Sequence, residues 1–226
     1  TSLTLFNNQS KNNFSYENKY SGEYNREKLT HAEISNRALI SNTQLRLTND
    51  QILSMHAWIQ TTDRNIPPTL LQDQSQAKEK DNSLRFNSEW KYQKPRKIIA
   101  VRAALLNDKI NYTDLLTNTG DKSKTVQFVS EGELKLVPNH FNSFFIGINN
   151  TYIRAKHPAI ISHNVQNRFT LFASYQFKSK NQRFISLVAA REEIVNNKII
   201  PFTYSFGSQY LLAQWINIRA NISKVY

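Results

Sequence analysis

The chain has 226 residues, enough for one large β domain, with 39% hydrophobic residues and a formal net charge of +12. No run nears the ~20 apolar residues that a membrane-spanning helix needs; the longest, 98–106 and 184–190, are short, and Arg102 cuts the first. With no cysteine, disulfides and thiolate metal sites are excluded.

The excess of Lys and Arg makes nucleic acid a candidate partner on charge alone. These residues are spread over turns and strand faces, however, and do not gather in one patch. That distribution fits a solvated surface first and an anion-favouring interior second.

In chain order the dominant signal is a period of two, the spacing of a β-strand. Residues 1–6 read as the end of a strand and not as a secretory leader, so the chain is expected to begin inside its fold. Strand-like segments then alternate with breaks of two kinds. Short breaks fall at 7–11, 47–50, 93–96, 137–140, 178–181 and 211–214. Longer ones fall at 22–29, 63–80, 113–124, 155–164 and 196–201. This predicts an all-β antiparallel meander of about twelve strands, with tight turns at one end and long loops at the other, the plan of an outer-membrane barrel.

The residue pattern on the strands separates two faces. Leu84, Phe86, Trp90 and Tyr92 share one parity, as do Phe169, Leu171, Ala173, Tyr175 and Phe177, and again Phe202, Tyr204, Phe206 and Tyr210. The aromatics in each set lie just before a short turn, which predicts a girdle where rings meet a membrane interface. The opposite parity carries Arg85, Asn87, Glu89 and Lys91, then Glu131, Glu133 and Lys135, then Arg168, Thr170, Ser174 and Gln176. Such residues are costly in the core of a sandwich but suit a watery lumen. In the last segment Ile216, Ile218, Ala220 and Ile222 alternate with Asn217, Arg219, Asn221 and Ser223. Phe145 and Phe172 interrupt the polar face, Trp215 has the parity of the polar face, and 182–193 shows no clear parity.

Catalytic chemistry finds no support. The five histidines form no ligand spacing for a metal, the five glycines form no phosphate cradle, and Gly207-Ser208 lacks the nucleophile-elbow pattern. Glu192 and Glu193 point to opposite faces of a strand. Glu131 and Glu133 share a face, where lining a wet lumen explains them.

Several of these residues also carry a resemblance. Trp58-Ile59-Gln60, the run Asp63-Arg64-Asn65-Ile66-Pro67-Pro68-Thr69, and Asp81 with Leu84-Arg85 and Trp90 resemble the barrel of TonB-dependent outer-membrane receptors. The branch most resembled imports cobalamin and ferric siderophores, although Ile59 stands where that family often has Tyr. The closing Ile218-Arg219-Ala220-Asn221-Ile222-Ser223-Lys224-Val225-Tyr226 is similar to the family strand that leads into a Pro-Thr-Phe-Asn loop. The resemblance implies that residues 1–226 are part of a single barrel domain, cut at both ends, without plug or TonB-contacting box. About twelve strands would be roughly half of a 22-stranded plugged barrel.

It further implies transport without covalent chemistry or a cofactor, in the outer membrane of a Gram-negative bacterium. The expected partners are outer-membrane lipid and lipopolysaccharide, TonB acting through the plug, and a small ligand such as a siderophore or cobalamin, with no nucleic acid. Candidate ligand-binding residues are Arg64, Asn65, Pro67, Pro68 and Arg85. Arg64 offers a fork of donors for carboxylate or phosphate, and Pro67-Pro68 stiffens the 63–80 loop. Arg64 and the two prolines also suit anchoring that loop to the rim, and Arg85 is placed to pair with Asp63 or Asp81. Two rivals stand beside this reading: a complete smaller barrel acting as a channel or enzyme, and a basic soluble β-protein whose exposed aromatics stack on nucleic acid.

Overall fold

The computed structural model describes residues 1–18, 25–69, 72, 74–161 and 164–225. Its strands are β1 (Ser2–Ser10), β2 (Ser15–Asn18), β3 (Asn25–Lys28), β4 (Ile34–Thr48), β5 (Gln51–Ile66), β6 (Ala77–Lys94), β7 (Lys97–Asp114), β8 (Thr119–Asn139), β9 (Asn142–Lys156), β10 (Val165–Lys178), β11 (Phe184–Val195), β12 (Lys198–Ala213) and β13 (Ile216–Lys224). No helix occurs among the described residues. Eleven strands form one sheet in the order β1-β4-β5-β6-β7-β8-β9-β10-β11-β12-β13, and β2 pairs with β3 in a separate hairpin. Each neighbouring pair is antiparallel. The sheet is open between β1 and β13, so the wall has the strand count of about half a 22-stranded barrel.

The turns at 49–50, 95–96, 140–141, 179–183 and 214–215 lie at one end of the sheet. At the other end the predicted boundaries shift. The expected short break at 7–11 does not exist: β1 runs to Ser10, and the chain returns to the sheet only at Ile34 after an excursion holding the β2–β3 hairpin. Of the break expected at 22–29, residues 22–24 lie outside the described residues, and 25–28 are β3. The loop expected at 113–124 is a tight turn at 115–118, because β7 and β8 extend their hydrogen-bond ladder as a hairpin of polar residues. The one expected at 196–201 is a two-residue turn, with φ of 48° at Asn196 and 64° at Asn197. Positive φ at both central residues matches the right-handed twist of the flanking strands, and asparagine tolerates it better than most side chains.

Prolines inside strands coincide with irregular register. Pro201 sits where pairing slips between Arg191 and Glu193 of β11, and Pro138 where it slips between Leu136 and Asn139 of β8. A residue without an N–H is tolerated where the ladder is already interrupted.

Directly opposed residues on neighbouring strands share a face, so the register decides every orientation. One face carries Leu39, Leu53, Ile59, Leu84, Phe86, Val101, Leu105, Phe128, Leu134, Ile146, Ile148, Leu171, Val188, Phe206, Ile218 and Ile222. No second layer among the described residues covers it: Val101 is 49% exposed and Ile146 48%. Ser88, Ser130 and Asn150 mark a less apolar row across it. The buried residues among those described are Ala32, Ala77, Ala100, Asn18 and Thr170, far short of a hydrophobic core. A sandwich would bury its aliphatic rows between two sheets; here they face outward from one. On β8 the apolar stretch from Val126 to Leu136 runs about 33 Å along the strand at roughly 3.3 Å per residue. Tilted by about 40°, it covers about 25 Å, the height of a barrel's lipid-facing band.

Aromatic rings gather on this face near the short turns. Trp90 stacks on Tyr92 with ring centres 6.4 Å apart, and Phe144 lies 4.8 Å from Tyr175. Their polar ends are satisfied, since Trp90 Nε1 donates to Gln51 at 3.2 Å and Tyr175 Oη to Asn142 at 2.6 Å. Trp215 occupies the turn at 214–215, where strand parity no longer applies. The pairing also resolves 182–193: Val188 and Ala190 face outward with Phe206 and Tyr204, whereas Leu187 and Ala189 face inward.

The inner face explains Phe145 and Phe172. Gly147 stands opposite Phe172, and a Cβ at Gly147 would lie 2.3 Å from the Phe172 ring. The glycine therefore makes room for the ring, which also packs against Phe145 at 5.5 Å. Covering a strand glycine with a cross-strand aromatic is a known device for stabilising a bent sheet.

Candidate functional site

The inner face carries charged side chains, and several of them are joined in ion pairs. Arg102 on β7 stands opposite Glu89 on β6 and Glu131 on β8, with Glu133 one diagonal step away. Its guanidinium bridges Glu89 and Glu131 and reaches Glu133 at 2.7 Å. Ala100 is buried beside this cluster because Lys91 and Glu133 flank it in register. Arg85 donates to Asp108 on β7 at 2.7 Å, and Ser83 donates to the same carboxylate at 2.8 Å. Arg168 and Arg191 both hold Glu193, at 3.1 and 2.6 Å. Paired in this way, these side chains avoid the cost of isolated charge, whereas Asp81 Oδ1 on the same face is buried without a hydrogen-bond partner.

Arg85 therefore does not pair with Asp63 or Asp81. Asp63 faces outward, opposite Lys80, and Asp81 lies four residues along the same strand, about 13 Å away at strand rise. Asp108 is the diagonal neighbour across the β6–β7 hairpin and is the nearer partner.

At the loop end, Arg64 and Asn65 belong to β5, not to the loop that follows it. Their polar side chains suggested a loop, but the β5–β6 ladder continues past them to Ile66 opposite Ala77. Being adjacent, they face opposite sides. Arg64 turns inward and binds Glu79 while its side chain stays 47% exposed, which leaves donors of the fork in the open. Asn65 turns outward, and its amide donates to the Glu33 carboxylate at 2.8 Å. That hydrogen bond, with a second from the Glu33 backbone, holds the Glu33 carboxyl below the usual range.

Pro67 and Pro68 open the connection between β5 and β6 and are half-buried. The connection is pinned by Ser75, which donates to the Ile66 carbonyl at 2.6 Å and accepts from the Ala77 N–H at 3.2 Å. The five predicted residues thus spread over two faces and a loop, with Arg64 and Arg85 sharing the inner wall. His157 pairs with Asp121 at 2.8 Å; His163 lies outside the described residues. Among the described residues no group of three or more His, Cys, Asp or Glu is arranged to hold a metal ion.

Sequence reading did not find Arg102 as the hub of the inner wall. The signal was present: counting outward from the two-residue turn at 95–96 sets Arg102 opposite Glu89.

An open antiparallel wall, apolar outside and ion-paired inside, is the class of structure seen in part of an outer-membrane receptor barrel. Comparison with solved structures points the same way. The siderophore receptor PirA from Pseudomonas aeruginosa matches with a TM-score of 0.64 at 14% identity, covering 84% of this chain and 33% of that one. Two variants of the ferric enterobactin receptor PfeA from the same organism match with a TM-score of 0.67, at 10% and 11% identity, over 85% of this chain and 33% of theirs. The chain spans about a third of the length of these receptors. No protein-family model and no curated protein matches the sequence. What these neighbours have in common with the chain is the fold.

Proposed function

We propose that residues 1–226 are a stretch of barrel wall from a TonB-dependent outer-membrane receptor of a Gram-negative bacterium, one that takes up a ferric siderophore. The observation that carries this is the segregation of faces on a single uncovered sheet. Lipid is the solvent that stabilises the outer side chains, and water or a plug is what the inner ones require. The siderophore receptors among the structural neighbours favour that cargo over cobalamin, and no covalent step is needed.

In this reading the short turns face the periplasm and the loop end faces the outside. Arg64 and Arg85 line the path, where a guanidinium fork suits the carboxylate or catecholate oxygens of an iron chelate. Pro67 and Pro68 limit the entropy lost when the β5–β6 loop orders around a ligand. Asn65 steadies the rim through Glu33.

Deleting the gene that carries this chain is expected to bring uptake of at least one radiolabelled ferric siderophore to background under iron limitation, and loss of TonB to do the same. Arg64→Ala is expected to weaken binding of that siderophore while leaving the amount of folded receptor unchanged. Unaltered uptake across a siderophore panel would contradict the proposal. Loss of cobalamin uptake alone would reassign the cargo.

A further inference from the structure

On the outer face of the eleven-stranded sheet the acids among the described residues are Asp63 and Glu192. Asp63 lies beyond the apolar rows, where Lys80 engages it at 3.7 Å. Glu192 lies within them, opposite Leu171 of β10, which stands opposite Ile148 of β9. Its inward neighbour Glu193 is held by two arginines, whereas Glu192 forms no ion pair or hydrogen bond among the described residues. β11 leaves a short turn at Phe184. At roughly 3.3 Å per residue and a tilt of about 40°, Glu192 lies about 20 Å above that point, inside a lipid band about 25 Å tall. A charge at that depth is costly and points to a contact.

A second outward charge sits two strands away. Lys224 of β13 is in register with Tyr204 of β12 and Ala190 of β11, two residues short of Glu192. Strand tilt lifts a register row by about two residues over two strands, so Glu192 and Lys224 share one depth. Lys224 is exposed and forms no ion pair among the described residues. Between the two charges β12 turns Phe202, Tyr204, Phe206 and Tyr210 outward as a ridge, with the Phe202 and Tyr204 rings 6.2 Å apart. These four residues are 41–49% exposed, and the Tyr204 hydroxyl has no hydrogen-bond partner among the described residues.

Symmetry decides what meets these charges. A two-fold axis along the membrane normal leaves depth unchanged and sets β11 of one copy opposite β13 of another. With β12 against β12, each Glu192 meets the Lys224 of the second copy, and the two Tyr204 hydroxyls lie near the axis. Packed sheets stand about 10 Å apart, a gap that a glutamate and a lysine reach across together. We infer that β11, β12 and β13 carry a self-association surface, closed by reciprocal Glu192–Lys224 pairs between two copies of this protein in the membrane. The inference rests on the barrel reading above, which makes this the lipid-facing side. Anionic headgroups repel Glu192, and a different protein would have to bring a cation to this depth. A second copy carries one there already.

The test uses the full-length protein, with any cysteine elsewhere replaced by serine and Tyr204→Cys introduced, in whole outer membranes and, purified, in phospholipid vesicles. A short bis-maleimide is expected to join two copies through Tyr204→Cys in both settings, and not through Phe128→Cys on β8. Adding Glu192→Gln is expected to lower the joined fraction roughly tenfold at low protein-to-lipid ratio, because each dimer loses two pairs. Glu192→Lys is expected to abolish joining, and Glu192→Lys/Lys224→Glu to restore it. No joined dimer at Tyr204→Cys, equal joining at Phe128→Cys, or a yield that ignores the charge changes would overturn the inference. So would a crosslink to a different protein in whole membranes without a dimer in vesicles, which would mean that another partner covers this surface. Heat-modifiable migration on gels checks folding separately: a compact barrel band without dimer overturns the self-association alone. A protein that never shows that band would overturn the barrel reading itself.

Discussion

Ile146→Arg is expected to destabilise the folded wall by about 1–3 kcal/mol, the cost of placing a guanidinium on a barrel's lipid face between mid-depth and the interface. Ile146 lies on β9 between Leu134 and Ala173 and is 48% exposed. In water this substitution on an exposed residue would be nearly neutral or would improve solubility, because it removes no contact with a core. In lipid it forces a charge to snorkel or to thin the bilayer. Asn149→Arg, three residues along the same strand, points inward beside Glu131 and is expected to change stability by less than about 0.5 kcal/mol. Urea titration of the full-length protein in phospholipid vesicles separates the two. Similar effects at both positions would mean that neither face meets lipid.

The second large effect is expected at Arg102. Arg102→Ala leaves Glu89, Glu131 and Glu133 converging on one patch of inner wall without the cation that now joins them. Removing one partner of a fully buried ion pair costs about 3–5 kcal/mol. These side chains are between 23% and 40% exposed, so solvent screening reduces the expected loss to about 1–2 kcal/mol. Arg102→Lys keeps the charge but reaches fewer carboxylates, and an intermediate loss is expected. Because the penalty is repulsion between like charges, it is expected to shrink in about 1 M salt. A penalty that ignores salt would point instead to lost packing of the arginine stem.

Much of this architecture is legible in the sequence because a barrel wall obeys one rule, alternation, repeated along every strand. Leu84-Arg85-Phe86-Asn87 states both faces in four residues. The same rule fails where both faces are apolar, as at Ile185, Leu187 and Val188, and only pairing with β12 assigns the sides. It also fails beyond the lipid, where strands stay hydrogen-bonded without any hydrophobic demand to mark them. That is why β7 and β8 run through residues that read as loop, and why Arg64 and Asn65 turn out to be strand.

The site was harder to read than the fold. Cross-strand partners follow from register, and register follows from turn length, so Arg102 with Glu89 was within reach across a two-residue turn. The β5–β6 loop offers no such count. Its composition names residues suited to a ligand without saying which face each will take.

Residues 1–226 hold no cysteine, so with any cysteine elsewhere in the protein replaced by serine the central claim is open to a direct measurement. Single cysteines introduced one at a time from Phe144 to Tyr152 on β9 of the full-length protein, each carrying a nitroxide label in a bilayer, can be scored for collision with oxygen, which concentrates in lipid, and with a water-soluble nickel chelate. Labels at Phe144→Cys, Ile146→Cys, Ile148→Cys and Tyr152→Cys are expected to favour oxygen, and those at Phe145→Cys, Asn149→Cys and Thr151→Cys the chelate or mutual shielding. A profile without a period of two, or outward labels shielded from both reagents as in the core of a packed sandwich, would contradict the account.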